Sequence, residues 1–171
     1  PYGVSKLAAE NYCLLLHRLY GLETVSLRYM NVYGPRQSYN PYSGVITIFM
    51  NRLLNGEPPI IYGDGEQSRD FVEVRDVVQA NILALAEKNV AGEVFIIGSG
   101  ERVTINELAQ LLISITGRRG CTPIHVEPRP GDIRHSYCDI SKAERLLGYH
   151  PKISLKEGLS HLLQYLQGRE G

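Results

Sequence analysis

The sequence predicts an α/β protein, because stretches with the apolar spacing of a helix alternate along the chain with short apolar runs typical of strands. With 171 residues, of which 43% are hydrophobic and 21% charged, the chain can bury a core and has a globular composition. Its 18 basic residues balance its 18 acidic residues, which argues against a nucleic-acid-binding protein. No apolar run approaches the roughly 20 residues that span a bilayer, so no contact with a membrane is expected.

The predicted elements begin with a helix over residues 3–20, which Gly21 ends, and a strand over residues 24–29 follows it. A polar, tyrosine-rich loop is expected over residues 34–43 after a Gly-Pro break. The other predicted strands are 60–62, 71–72, 92–97 and 124–126. The other predicted helices are 45–54, 76–87 with Asp76 as N-cap or in the first turn, a helix capped by Thr104 and Glu107, 141–148 capped by Ser141, and 154–167 capped by Ser154 with Glu157.

Cysteine and glycine spacing excludes some kinds of site. Cys13, Cys121 and Cys138 show no metal-ligand spacing and indicate reduced thiols in a cytoplasmic protein, and no metal site is predicted. The glycine clusters at 63–65 and 98–100 lack the flanking strand and helix of a phosphate-binding fingerprint, so both are predicted to be turns.

Tyr2 and Lys6 form a Tyr-x-x-x-Lys pair in the first predicted helix. Side chains four residues apart share one face of a helix, and a neighbouring ammonium stabilises a phenolate. This arrangement makes a tyrosine a usable proton acceptor near neutral pH. By itself the spacing also fits an ordinary surface pair, so other motifs must support the assignment.

Four stretches of the chain, the first of which contains this pair, support the assignment of Tyr2 and Lys6. They are Tyr2-Gly3-Val4-Ser5-Lys6 followed by Ala8-Ala9-Glu10, Leu27-Arg28-Tyr29-Met30-Asn31-Val32-Tyr33-Gly34-Pro35-Arg36-Gln37, Gly63-Asp64-Gly65-Glu66-Gln67-Ser68-Arg69-Asp70-Phe71-Val72, and Arg129-Pro130-Gly131-Asp132-Ile133-Arg134 with Asp139-Ile140-Ser141-Lys142-Ala143. In this order, and over essentially the whole chain, they resemble the motifs of the extended short-chain dehydrogenase/reductases. Within that family the sequence is most similar to the NAD-dependent nucleotide-sugar epimerases.

The resemblance implies the C-terminal part of a Rossmann-type doubly wound domain joined to a smaller mixed α/β substrate-binding domain. Residues 1–33 would end the NAD-binding domain. Residues 34–171 would form mainly the substrate-binding domain, with some segments returning to the Rossmann sheet. Members of the family begin with a glycine-rich dinucleotide fingerprint and carry a catalytic Ser or Thr in the same half. Since this sequence has no such fingerprint, it is expected to be a fragment that is inactive alone, from an enzyme that forms homodimers.

The resemblance also assigns catalytic and cofactor-binding roles. Tyr2 would take a proton from the sugar 4-hydroxyl while NAD takes the hydride from C4. Lys6 would bind the nicotinamide ribose and tune Tyr2. Tyr29 would lie near the nicotinamide, and Asn31 would hold a diphosphate oxygen.

Two arginines in the matched motifs, Arg69 and Arg129, are assigned as a diphosphate clamp, because a guanidinium is the usual bidentate partner of phosphate oxygens. Either arginine taken alone would also fit a solvated surface charge. Asp132, after a rigid Pro-Gly turn, would accept hydrogen bonds from both ribose hydroxyls. The positions that match those enclosing the nucleobase are Val45, Ile46 and Tyr62.

Ser136 matches the position beside the C2 substituent of the sugar, and Gly44 and Gln37 also resemble the pocket of UDP-N-acetylglucosamine 4-epimerases. A small residue at 136 leaves room for an acetamide. The predicted reaction is therefore the 4-epimerisation of a UDP-sugar through a 4-keto intermediate, with UDP-GlcNAc and UDP-GalNAc favoured over UDP-glucose and UDP-galactose. The alternatives are a UDP-glucuronate epimerase or decarboxylase, a dTDP-glucose 4,6-dehydratase, and a non-catalytic UDP-binding module.

Overall fold

A computed structural model describes residues 1–38 and 43–168 of the chain. Its helices are α1 (Tyr2–Tyr20), α2 (Val45–Leu54), α3 (Val74–Ala86), α4 (Ile105–Ile115), α5 (Ser141–Leu147) and α6 (Leu155–Gln167). Its strands are β1 (Ser26–Tyr29), β2 (Asn31–Tyr33), β3 (Ile60–Tyr62), β4 (Ser68–Arg69), β5 (Phe71–Glu73), β6 (Val94–Ile97), β7 (Val103–Thr104), β8 (Ile124–Val126) and β9 (His135–Ser136). Among the helices of these two ranges, none combines the length and the apolar character needed to cross a membrane.

The strands form three parallel pairs and one three-stranded sheet. β1 pairs with β6, β2 with β5, and β3 with β8, all in parallel. In the remaining sheet β4 lies between antiparallel β7 and parallel β9. Parallel strands joined by helices confirm the predicted α/β class.

Two apolar cores hold these elements together. The first lies between α2, α4 and α6, where Phe49, Leu108 and Leu159 are buried. The second lies between β6, α3 and α5, where Phe95 and Tyr149 are fully buried. None of the 19 residues of α1 is buried. The two cores therefore hold α2 to α6 together, whereas α1 contributes no buried residue to either of them.

Local signals in the sequence gave several elements their observed bounds. α2 and β3 have the predicted residues, and α1 ends at Gly21, whose φ of +67° lies in the left-handed region that favours glycine. Thr104 and Glu107 form the predicted capping box, with the Thr104 amide donating to the Glu107 carboxylate at 2.7 Å. Ser154 caps α6 by accepting from the amide of Glu157.

The strand predictions needed several corrections. The strands predicted from residues 24 and 92 begin at Ser26 and Val94, and the strand predicted at 71–72 extends to Glu73. Strands β2, β4, β7 and β9 were not predicted, because two or three residues are too few to show an alternating pattern and their pairing depends on distant partners. Residues 39–42 of the predicted loop lie outside the described residues.

Two predicted helix starts also differ from the structure. The helix predicted from residue 76 begins at Val74, because the Glu73 carboxylate accepts from the amide of Arg75 at 2.6 Å and acts as the N-cap. Asp76 lies in the first turn of α3, which is one of the two places predicted for it. The predicted Ser141 cap was wrong. Ser141 is the first residue of α5, and its amide donates to the carboxylate of Asp139 at 2.8 Å. In both helices an acidic residue just upstream satisfies a free amide of the first turn.

Candidate active site

A cavity of about 350 Å³ lies between α2, β3, β4 and the turn at residues 129–132. Its volume falls in the range of small-molecule sites. Six of the residues assigned from the sequence line it: Asn31, Val45, Tyr62, Arg69, Arg129 and Asp132. The structure thus gathers into one cavity residues that lie up to about a hundred positions apart in the sequence.

The residues that line this cavity are of two kinds. Val45, Phe49, Ile60, Ile61 and Ile105 supply an apolar lining from α2, β3 and the start of α4. Arg69, Arg129 and Asp132 supply two guanidinium groups and one carboxylate, which leaves one net positive charge. An apolar lining combined with a positive charge suits a ligand with a flat, weakly polar ring and an anionic group.

The guanidinium of Arg69 is held in the cavity wall by three hydrogen bonds. Its Nη1 donates to the backbone oxygens of Ser68 at 2.8 Å and Ile133 at 2.6 Å, and its Nη2 donates to Asp132 Oδ1 at 2.6 Å. The Arg69 side chain is only 16% exposed. This guanidinium is therefore preorganised, and the charge of Asp132 is already engaged by it.

Arg129 and Tyr62 form a second contact in the cavity wall. The Arg129 guanidinium lies 3.8 Å from the centroid of the Tyr62 ring, which is a cation–π arrangement. The backbone oxygen of Tyr62 accepts from Nε2 of Gln67, a buried side chain that also lines the cavity. Gln67 lies within one of the matched motifs, but nothing in its residue type or spacing singled it out.

Asn31 enters the cavity from the start of β2, and its side-chain amide donates to the backbone oxygen of Asp70 at 3.0 Å. Near it, Gln37, Gly44 and Ile46 line a smaller cavity of about 30 Å³. Gln37 Oε1 accepts from the hydroxyl of Thr47 at 2.7 Å. The structure places Ile46 in the first core and away from the larger cavity, so its contact with a nucleobase stays a prediction.

Ser136 does not line the larger cavity. It lies in β9 directly opposite Arg69 of β4, in a parallel register. Side chains at paired positions of neighbouring strands point to the same face of a sheet, so Ser136 and Arg69 share a face. The predicted contact of Ser136 with a sugar remains a prediction.

Tyr2 and Lys6 lie together on α1. Lys6 Nζ is 5.5 Å from the centroid of the Tyr2 ring, and Tyr2 is 76% exposed. Tyr29 is half-exposed at the end of β1, and its hydroxyl donates to Asn81 Oδ1 of α3 at 3.0 Å. The exposed ammonium and phenol lie side by side and can both donate to ribose hydroxyls, as the predicted contact with NAD requires, and that contact stays a prediction.

A bidentate ion pair links this helix to β1. Arg28 Nε and Nη2 donate to the two carboxylate oxygens of Glu10, each at 2.6 Å, and this pairing lowers the pKa of Glu10 below its ordinary value. Glu10 follows Lys6 by four residues, as Lys6 follows Tyr2, so all three lie on one face of α1. That spacing was visible in the sequence, but it does not reveal the partner of Glu10, which lies 18 positions further along on β1.

No group of three or more His, Cys, Asp or Glu side chains within residues 1–38 and 43–168 is placed to hold a metal ion. The acidic groups near the cavity are instead engaged by arginines. Outside the lining of this cavity, Arg134 donates to both oxygens of Asp64, at 2.6 and 2.9 Å, and lowers the pKa of that carboxyl to about 2.

Comparison with known protein families shows which family has this fold and these motifs. The model of the NAD dependent epimerase/dehydratase family matches residues 1–98. The chain belongs to this family. The predicted family and its dependence on NAD are confirmed, and the fold agrees with the Rossmann-fold epimerases among the solved structures.

Several individual proteins are similar to this chain over nearly its whole length. A putative UDP-glucose 4-epimerase of Methanocaldococcus jannaschii is 46% identical over 167 residues, which are 98% of this chain and 53% of the relative. The crystal structure of UDP-glucose 4-epimerase from Thermotoga maritima with UDP-glucose is 46% identical with a TM-score of 0.91, and the match covers 100% of this chain and 54% of that one. UDP-N-acetylglucosamine 4-epimerase from Methanobrevibacter ruminantium, in complex with UDP-N-acetylmuramic acid, is 37% identical with a TM-score of 0.91, over 99% of this chain and 54% of that one.

The chain spans about half the length of the curated relatives it matches. Matches at 31% and 34% identity include proteins named UDP-glucuronate 4-epimerase and dTDP-glucose 4,6-dehydratase. The comparisons thus identify a group of related enzymes that act on nucleotide sugars, and they leave the reaction and the sugar of this protein open.

Proposed function

We propose that this chain supplies the Tyr2–Lys6 pair and the UDP-sugar pocket of an NAD-dependent nucleotide-sugar 4-epimerase. The observation that carries the proposal is the cavity of about 350 Å³, whose lining combines apolar side chains with Arg69, Arg129 and Asp132. Because the chain covers about half of its relatives, the activity is proposed for the whole protein, and ligand binding is proposed for the chain.

In this proposal the uracil ring packs against Tyr62 and the apolar lining residues, and the diphosphate contacts Arg69 and Arg129. A nucleoside diphosphate carries about two negative charges, which the guanidinium groups of Arg69 and Arg129 neutralise through charge-assisted hydrogen bonds. Asp132 Oδ1 accepts from Arg69 Nη2 at 2.6 Å, and in this proposal the Asp132 carboxylate also accepts from the two ribose hydroxyls.

The chemistry is assigned to the face of α1. When bound, NAD would supply the hydride chemistry at C4 of the sugar, which interconverts its 4-hydroxyl and 4-keto forms. Tyr2 accepts the proton of the 4-hydroxyl and gives it back after the sugar has rotated. Lys6, on the same helix face and 5.5 Å from the ring centroid of Tyr2, stabilises the phenolate and holds the nicotinamide ribose.

The proposed sugar is an N-acetylated hexosamine, that is, UDP-GlcNAc or UDP-GalNAc. The support is Ser136, which shares a sheet face with Arg69 and has a small side chain. In the whole protein, Ser136→Tyr should abolish turnover of UDP-GlcNAc while leaving UDP-glucose epimerisation intact, because a phenol ring fills the space of the acetamide. If the substitution affects both substrates equally, the assignment of the pocket is wrong.

The pocket itself is tested by calorimetric titration of the 171-residue chain with UDP and with uridine. UDP should bind more tightly than uridine, because only UDP reaches the two arginines. Arg69→Ala should weaken UDP binding by at least about tenfold and change uridine binding little, since each charge-assisted hydrogen bond is worth about 1.5–3 kcal/mol.

Arg134→Ala is the matched control, because it also breaks an Arg–Asp ion pair but outside this cavity. It should leave UDP binding within about twofold of the unsubstituted chain, as surface ion pairs contribute little. Equal binding of UDP and uridine, or equal losses in the two arginine variants, would contradict the proposal.

A second candidate function is a UDP-binding module without catalysis. The observation that favours it is the separation of Tyr2, exposed on α1, from the residues that line the cavity. Tyr2→Phe in the whole protein separates the two functions. A catalytic tyrosine predicts a loss of turnover of about a hundredfold or more with unchanged UDP affinity, whereas a module has no turnover to lose.

A further inference from the structure

The carboxylate of Asp70 is completely buried in the link between β4 and β5. Its Oδ1 accepts from the amide of Ser99 at 2.7 Å and from the hydroxyl of the same residue at 2.9 Å. Its Oδ2 accepts from the amide of Gly100 at 2.9 Å and from the Cys138 thiol at 3.3 Å. Burial, together with the nearby Asp70 charge, raises the pKa of Cys138 to about 12, so this thiol stays a donor. Both carboxylate oxygens are thus satisfied by the turn that follows β6 and by Cys138.

The main chain of the same residue reaches the proposed pocket. The backbone oxygen of Asp70 accepts from the amide and from the side-chain Nδ2 of Asn31, each at 3.0 Å. The amide of Asp70 donates to the backbone oxygen of Ser136 at 2.9 Å, and Asp70 directly follows Arg69 in the chain. Three residues assigned to the substrate are therefore one covalent or hydrogen bond away from Asp70.

The backbone at Gly98 packs closely against this carboxylate. A Cβ added at Gly98 would lie 2.7 Å from Asp70 Oδ2, 2.7 Å from Cys138 Sγ and 2.9 Å from Met30 Cγ. Such distances are far below ordinary contact, so the backbone after β6 lies directly against the carboxylate. Met30 adjoins Asn31, which brings the same tight contact to the start of β2.

We infer that Asp70 is a positioning residue, whose carboxylate holds Asn31, Arg69 and Ser136 in place against the turn that follows β6 and so sets the diphosphate end of the pocket. The inference rests on the proposed function for the identity of the ligand. The positioning role requires the negative charge of the Asp70 carboxylate and not only the shape of this side chain. All four groups around the carboxylate are donors, so an asparagine amide would put its own N–H groups against another donor and leave a buried group unsatisfied.

The test compares Asp70→Asn with Asp76→Asn in the 171-residue chain. Asp76 is also buried, and its carboxylate accepts from the amides of Lys152 at 3.0 Å and Ile153 at 3.2 Å, neither of which is assigned to the pocket. Both variants lose a buried carboxylate that holds two amides of a distant segment. A general loss of stability should therefore appear in both, and a loss of ligand geometry only in the first.

Asp70→Asn should weaken UDP binding by about tenfold or more and change uridine binding by less than about threefold, because small displacements of groups that position a ligand are costly. Asp76→Asn should keep UDP binding within about twofold. Equal losses in the two variants, or equal losses for UDP and uridine in Asp70→Asn, would overturn the inference and leave Asp70 a structural residue.

Amide hydrogen exchange supplies a readout that needs no ligand. Asp70→Asn should speed exchange at Ser99 and Gly100 and also at the amides of Asn31 and Asp70. Faster exchange confined to Ser99 and Gly100 would overturn the positioning role. If Asp70→Asn does not fold, Ser99→Ala removes one of the four donors and should give the same pattern with a smaller amplitude. If the unsubstituted chain binds no UDP, the proposed function fails and the exchange pattern alone decides the role of Asp70.

Discussion

The cavity and the Tyr2–Lys6 helix differ in how their side chains are held. In the cavity, Arg69 makes three hydrogen bonds and Arg129 stacks on Tyr62, and the surrounding elements rest on a buried core. On α1 none of the 19 residues is buried, and the bidentate Glu10–Arg28 pair is a main polar link to the sheet. The chain fixes its binding residues by its own packing, whereas its proposed catalytic pair is held at the surface.

The largest expected effect contrasts a leucine in each region. Leu108 of α4 is fully buried beside the cavity, and Leu108→Ala should cost about 2–5 kcal/mol of unfolding free energy because it leaves a void. Leu7 of α1 is 56% exposed, and Leu7→Ala should cost less than about 0.5 kcal/mol. Urea unfolding followed by circular dichroism measures both. Similar losses would mean that α1 is packed as firmly as α4.

A smaller effect is expected at the helix starts. Thr104→Ala removes one half of the α4 capping box and should cost about 1 kcal/mol in the same unfolding measurement. The hydroxyl of Ser5, in the first turn of α1, donates to the backbone oxygen of Tyr2 in its own helix and caps no free amide, so Ser5→Ala should change stability by less than about 0.5 kcal/mol. A cost at Ser5 as large as that at Thr104 would remove the contrast between the two helix starts.

The smallest expected effect concerns the Glu10–Arg28 pair and its dependence on pH. Glu10→Gln should lower the unfolding free energy by roughly 0.5 kcal/mol at pH 7, because the pair is partly exposed and screened by solvent. The pairing lowers the pKa of Glu10 in the folded chain. Its contribution is therefore complete above the ordinary pKa of about 4.3 and is lost as the pH falls through the lower, folded value.

Unfolding of both chains across pH 2 to 7 checks this sign. The difference between the unsubstituted chain and Glu10→Gln should shrink steadily below about pH 4. A difference that stays constant to pH 2 would show that the effect of the substitution does not come from the charge of Glu10.

Local chemistry explains which parts of the fold the sequence predicted. Apolar spacing and a glycine-proline stop gave the bounds of α2, and a threonine three residues before a glutamate gave the capping box of α4. Strands of two residues, such as β4 and β9, have no pattern of their own and exist because they pair with each other 67 positions apart. The Ser141 cap failed because Ser141 is itself the first residue of α5, and its amide is satisfied by the carboxylate of Asp139, a residue that can also accept from helix-start amides.

For the candidate site, residue types and motifs predicted which residues line the cavity better than they predicted how those residues contact one another. Arg69 and Asp132 were assigned to different parts of a ligand, and their ion pair joins residues 63 positions apart, which no spacing reveals. The contacts of Asp70 could not be predicted either, because a carboxylate that accepts from a distant turn leaves no periodic or spacing signal. Pairwise geometry of this kind depends on the folded chain.

The glycine after β6 has a consequence for protein engineering. Position 98 touches no proposed ligand, yet any side chain there would collide with Asp70, Cys138 and Met30 at once. In a saturation library selected for a new sugar preference, this position should stay glycine in every surviving clone. A library designed only from the cavity-lining residues would never sample it, and changes at Asp70 or Cys138 would be accepted only in combinations that preserve the space that Gly98 leaves.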